Sequence, residues 1–90
     1  MNENTMLEML KVDLGISTTA YDNRLRQYLT SARDAIKIEG ITIDEDEPTI
    51  SDSNLIVMYA GWLWRKRDSA EGMPRMLRWQ LNNRLFSEKV

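Results

Sequence analysis

Apolar residues recur along this chain at three- and four-residue steps in four separate stretches, and helix-ending residue types fall between them. In the first stretch Met6, Leu7, Leu10 and Leu14 share one side of a helix, with Thr5-Met6-Leu7-Glu8 reading as a capping box and Gly15 as a C-terminal stop. The second has the clearest period. Tyr21, Leu25, Tyr28, Leu29, Ala32, Ala35 and Ile36 form one face, and Arg24, Arg26, Arg33, Asp34 and Lys37 occupy the others. This predicts a helix from Thr18 or Thr19 to Glu39, with Asp22 in its first turn and Gly40 supplying the left-handed cap.

Ile41-Thr42-Ile43 alternates as a strand would, but it runs at once into Asp44-Glu45-Asp46-Glu47-Pro48 and is too short to found a sheet. An extended acidic loop is the expectation. Ser51 or Asp52 can cap a third helix that carries Leu55, Ile56, Met58, Tyr59, Trp62 and Leu63 and ends in Arg65-Lys66-Arg67, cations that suit a helix C-terminus. A polar connector over 68–72 follows. Pro74 then fits the first turn of a fourth helix, in which Met76, Leu77, Gln80, Leu81, Leu85 and Phe86 are expected to pack. The predicted fold is therefore all-α: one domain over 1–90, a bundle of about four helices with an acidic extended loop between the second and third. Its predicted core is Leu25, Tyr28, Leu29, Ala32, Ile36, Leu55, Tyr59, Trp62, Leu77 and Leu81.

Composition narrows the chemistry. Ninety residues, 42% hydrophobic and 29% charged, make one small domain whose core is modest and whose partners therefore matter. There is no cysteine and no histidine, so thiolate nucleophiles, disulfides, zinc-finger sites and imidazole acid–base chemistry are absent. No apolar run is long enough to span a bilayer, and the polar opening Met1-Asn2-Glu3-Asn4 is unlike a secretory signal, which points to an intracellular protein. The net charge of −2 is unevenly spread. Residues 1–53 hold 5 Lys/Arg against 11 Asp/Glu, and residues 54–90 hold 7 against 3. Such polarity fits head-to-tail association of identical subunits better than general nucleic-acid binding.

The acidic run does not read as a calcium loop. Counted from Asp44, the sixth position is Thr49 where an EF-hand needs Gly, and the twelfth is Leu55 where it needs Glu. The serines and threonines lack a histidine or a suitably spaced lysine to activate them, and the glycines at 15, 40, 61 and 72 are isolated, so no phosphate loop exists. No enzyme is expected, and no cofactor. Among the tryptophans, Trp62 shares a stripe with Met58 and Tyr59 and reads as core, whereas Trp64 lies off it and reads as an exposed interface anchor.

Leu7-Glu8-Met9-Leu10-Lys11 with Leu14, Tyr21-Asp22-Asn23-Arg24-Leu25 leading to Ala32-Arg33-Asp34-Ala35-Ile36 and Gly40, the segment Val57-Met58-Tyr59-Ala60-Gly61-Trp62-Leu63-Trp64-Arg65-Lys66-Arg67, and Met73-Pro74 before Leu77 stand in a particular order. In that order and spacing they resemble the small helical head-tail connector family of tailed bacteriophages and prophages, the head-completion and DNA-packaging adaptors. Trp64, where a tyrosine is common, and the strongly acidic loop depart from the family pattern.

The resemblance implies a structural virion protein. Copies would form a ring, roughly a dozen by analogy with closed cyclic assemblies, beneath the portal protein. That ring would complete the DNA-filled head, join it to a tail-side completion or stopper protein, and let DNA pass through without reading it. The implied location is the head-tail interface of the virion, with the host cytoplasm as the place of assembly and no membrane partner. A ring needs two different patches that meet, so Asp44, Glu45, Asp46, Glu47, Trp64, Arg65, Lys66 and Arg67 are the candidate subunit or partner interface. Arg75, Arg78 and Arg84 are candidate channel or partner contacts. Two other readings compete on the same residues: a small phage-encoded helical DNA-binding regulator, and a host-directed interaction protein.

Overall fold

The computed structural model describes residues 2–89 and contains four helices: α1 (Glu3–Leu14), α2 (Asp22–Ile38), α3 (Ile50–Lys66) and α4 (Arg75–Lys89). The all-α class and the four helices in order match the sequence expectation; residues 41–44 carry no helix, and no strand forms among the described residues. Among the described residues no helix is long and apolar enough to cross a membrane.

The caps differ from the expectation in three places. Asn2, not Thr5, caps α1, its Oδ1 accepting the Thr5 N–H at 2.8 Å, so Thr5 lies inside the first turn rather than before it. Residues 18–21 make a separate turn, in which Thr18 Oγ1 accepts the Ala20 N–H, and α2 begins only at Asp22. Thr49 caps α3 in place of Ser51 or Asp52, accepting the Asp52 N–H at 3.0 Å. Both glycine stops hold. Gly15 (φ 71°) ends α1 with the Ile16 N–H reaching back to the Lys11 carbonyl at 2.9 Å, and Gly40 (φ 106°) follows α2 with the Ile41 N–H reaching the Ile36 carbonyl.

Helix α3 is the hub. It packs against α1, α2 and α4, and as a result Leu55, Ile56, Val57, Tyr59, Ala60, Gly61 and Trp62 are all buried, nearly the full circumference of its middle. Around it α1 contributes Met6, Leu7 and Leu10, α2 contributes Leu25, Leu29, Ala32 and Ile36, and α4 contributes Leu77 and Leu81. The loop strand-like triplet is drawn in too, with Ile41 and Ile43 buried. Nine of the ten predicted core residues are buried; Tyr28 is only half-buried, because it faces the rim of α2 where Trp64 covers one side of it. Leu14 is likewise half-buried. Met76 and Phe86, expected inside, are exposed, at 59% and 71%.

Helix α4 is attached by few apolar contacts and by polar clamps. Arg78 Nη2 lies 2.5 Å from Glu39 Oε1 at the end of α2, Arg84 pairs with Asp52 in the first turn of α3, and the Glu88 carboxylate accepts the Thr42 N–H at 2.9 and 3.0 Å. An acid at the C-terminal end of α2 opposes the helix dipole, and Arg78 offsets it there. Burial, followed by the charge of Glu39, raises the Tyr59 phenol above its ordinary value. The assembled chain is a slab of 43 × 32 × 18 Å, about two helices thick.

Candidate functional site

The acidic and basic clusters lie at opposite ends of α3. Its 17 residues span roughly 25 Å, with the 44–47 loop leading into the N-terminal end and Arg65, Lys66 and Arg67 at the other. The two clusters do not pair within one subunit. The 44–47 and 65–67 clusters thus stand apart along one axis, while Arg84, from the basic half of the sequence, folds back to Asp52 at the acidic end.

At the acidic end the loop is an organised turn. Asp44 Oδ1 accepts the N–H of Asp46 at 2.9 Å and of Glu47 at 3.0 Å, and these two bonds, that from Glu47 the larger, hold the Asp44 carboxyl below its ordinary value. The Lys37 ammonium hydrogen-bonds and ion-pairs with Glu45 and lowers its pKa in the same way. Asp46 and Glu47 face solvent, where they line a shallow hollow with Asn2, Thr49 and Ile50. Ile50 itself is 68% exposed, an apolar residue set among acids.

At the basic end the side chains are layered on aromatic rings. The Arg67 guanidinium stacks 3.7 Å from the Trp64 ring centroid and donates to the Trp64 carbonyl, and the Lys66 ammonium sits 4.4 Å over Trp62. Arg65 reaches Glu71 at 4.0 Å, and Arg67 reaches Asp68 at 3.5 Å. Trp64 is not the exposed anchor expected of it. It is half-buried, edge-on to both Tyr21 and Tyr28 at 5.6 Å, because helical spacing brings it over the outer edge of α2. Trp62 is core as expected, and its indole N–H donates to the Gly72 carbonyl at 3.1 Å, fastening the connector to α4.

The three α4 arginines separate. Arg78 and Arg84 are engaged by Glu39 and Asp52, so they brace α4 against α2 and α3 rather than standing free for a channel or partner. Arg75 is exposed and lines a shallow apolar hollow with Met76 and Trp79. Trp79 is 60% exposed. Sequence reasoning missed this outward face, although the signal was present: at 100° per residue Phe86 stands half a turn round from Leu77, and Met76, Trp79, Asn83 and Phe86 form a second stripe. A further groove runs along α3 between α1 and α4. Met9, Ile50 and Gln80 line one half, Gly61, Arg65 and Pro74 the other, and Asp13, Val57 and Met58 line both.

Among the described residues no group of three or more Asp, Glu, His or Cys side chains could hold a metal ion. The acidic loop is a turn stabilised by its own backbone and by Lys37. No family model, curated protein or solved structure matches the chain.

Proposed function

We propose that this protein is a structural subunit that associates head to tail with copies of itself into a closed ring, the head-tail connector of a tailed-bacteriophage virion, seated between portal and tail. One observation carries the reading: opposite charges stand at the two ends of the central helix, with exposed Ile50 beside the acidic one and the partly exposed Tyr21 ring against Trp64 at the basic one. A heterologous interface, in which one patch meets a different patch on the next copy, requires such a pair, and repeated around an axis it closes a ring. The resemblance of the four helical segments to the connector family supplies the setting, with the portal protein above, a tail-side completion protein below and DNA passing through unread.

The DNA-reading alternative is less well supported, because two of the three α4 arginines that would meet phosphates are paired inside the subunit.

The test is molar mass by light scattering across a range of concentrations, with the largest species viewed by negative-stain microscopy. The proposal expects oligomers that grow with concentration and particles with a central hole. A chain that stays monomeric at every concentration overturns it.

A further inference from the structure

We infer that the outward stripe of α4, Met76, Trp79 and Phe86, is the half of this interface that inserts, and that it seats in the α1–α3–α4 groove of the next copy. The inference rests on the head-to-tail reading above, with Arg75 rather than the 65–67 cluster as the cation that meets the acidic end.

Three observations fit the stripe to the groove. The first is size. From Met76 to Phe86 the stripe covers about 15 Å of helix, and the groove floor from Ile50 to Gly61 covers about 17 Å of α3. The second is chemistry. Met76, Trp79 and Phe86 share one face of α4 with Asn83 between them, as the apolar side of a docking helix does, and the groove mixes apolar residues with Ser51, Asn54 and Gln80. The groove offers Ile50 with half-buried Met9 and Met58, flexible side chains that adapt to an incoming ring. The three stripe residues leave roughly 400 Å² of apolar surface exposed, about half of what one side of a stable interface covers, and the charged margins extend it.

The third is charge, which also sets direction. Arg75 heads the stripe, and one end of the groove is flanked by Asp46 and Glu47 beyond Ile50, while Arg65 guards the other end and Asp13 lies in the stretch that both halves share. Arg75 therefore points to the Ile50 end. The stripe adjoins the groove: Met76 and Gln80 lie one turn apart on α4, and Trp79 and Asn83 line a hollow with Ser51 and Gln80, two residues of the groove wall.

The chain has no cysteine, so single thiols report contacts without background. Met76→Cys and Ile50→Cys chains, both changed at exposed positions, are mixed under mild oxidation and their masses read beside those of each chain alone and of a Phe86→Cys with Ile50→Cys mixture. The expected result is a disulfide-linked pair from the first mixture, and far less from the others. Trp79→Ser is expected to weaken self-association by roughly thirtyfold or more, as loss of a central aromatic anchor does, with helix content unchanged. If the wild-type chain associates but the first mixture does not cross-link, or Met76→Cys pairs as well with itself, the placement is wrong and head-to-tail assembly stands. A wild-type chain that never associates overturns both.

Discussion

Arg84 reaches from α4 to ion-pair with Asp52 in the first turn of α3, where the carboxylate side chain is only 6% exposed. The Asp52 N–H is held by Thr49, and the N-terminal end of α3 favours a negative charge at this position, so the buried carboxylate depends on its arginine partner. Arg84→Met removes the partner and leaves a buried charge. The expected loss is about 3 kcal/mol of unfolding free energy, and adding Asp52→Asn should return much of it. Urea titrations of the wild type, the single variants and the double variant measure both; additive losses would contradict the pairing.

Gly40 and Gly72 should respond oppositely to alanine. Gly40 has a φ of 106°, and a Cβ there would lie 3.1 Å from Leu85 Cδ2, so Gly40→Ala meets both backbone strain and a tight contact. A loss of about 2 kcal/mol is expected. At Gly72 a Cβ meets nothing within 4 Å and φ is not positive, so Gly72→Ala should stay within about 0.5 kcal/mol of wild type. Thermal and denaturant unfolding of the two variants decide this.

The acidic turn should loosen in acid. Asp44 and Glu45 titrate in the folded chain below their ordinary values of 3.8 and 4.5. Their ionised forms therefore favour the folded turn fully above those values, and the effect fades as pH falls through the lower folded ones. The backbone amides of Asp46 and Glu47 donate to Asp44, so their chemical shifts should move with a midpoint below 3.8. Asp44→Ala should abolish that movement. A midpoint at or above the ordinary value would remove the turn as the cause.

Reversing Arg65 and Arg67 to Glu together should impair self-association while leaving helix content intact. Their ion pairs with Glu71 and Asp68 are surface pairs worth little to stability, but the change also removes the Arg67 stack on Trp64 and sets two acids at the C-terminal end of α3, so stability is read beside mass. Circular dichroism and light scattering on the same sample separate the two effects. Unchanged mass would exclude the basic end from the interface.

The helices were legible because their apolar residues keep a 3.6-residue period and because glycine marks two of the ends. What escaped the sequence was set by tertiary partners. Asn2 and Thr49 outcompeted better-placed caps because the chain approaches each helix one turn earlier than the patterns suggest. Trp64 looked free along α3, but the rings that cover it belong to α2. The α4 arginines read alike one by one, yet only the fold puts Glu39 and Asp52 opposite two of them. Met76 and Phe86 were misplaced because a helix with apolar residues on two sides does not declare which side has a neighbour.

Residues 39–42 receive three contacts from the far end of the chain, beside the Arg84 clamp on Asp52: Arg78 on Glu39, Leu85 against Gly40 and Glu88 on Thr42. The separation of up to 46 positions has a consequence for how the molecule comes into being. During synthesis α1, α2 and α3 leave the ribosome before α4 and must hold one another first, with the hinge beyond α2 still unclamped. Contacts of such long range form late, because the loop they close is large. The arrival of α4 is therefore the step that fixes residues 39–42, the stem from which the acidic turn projects.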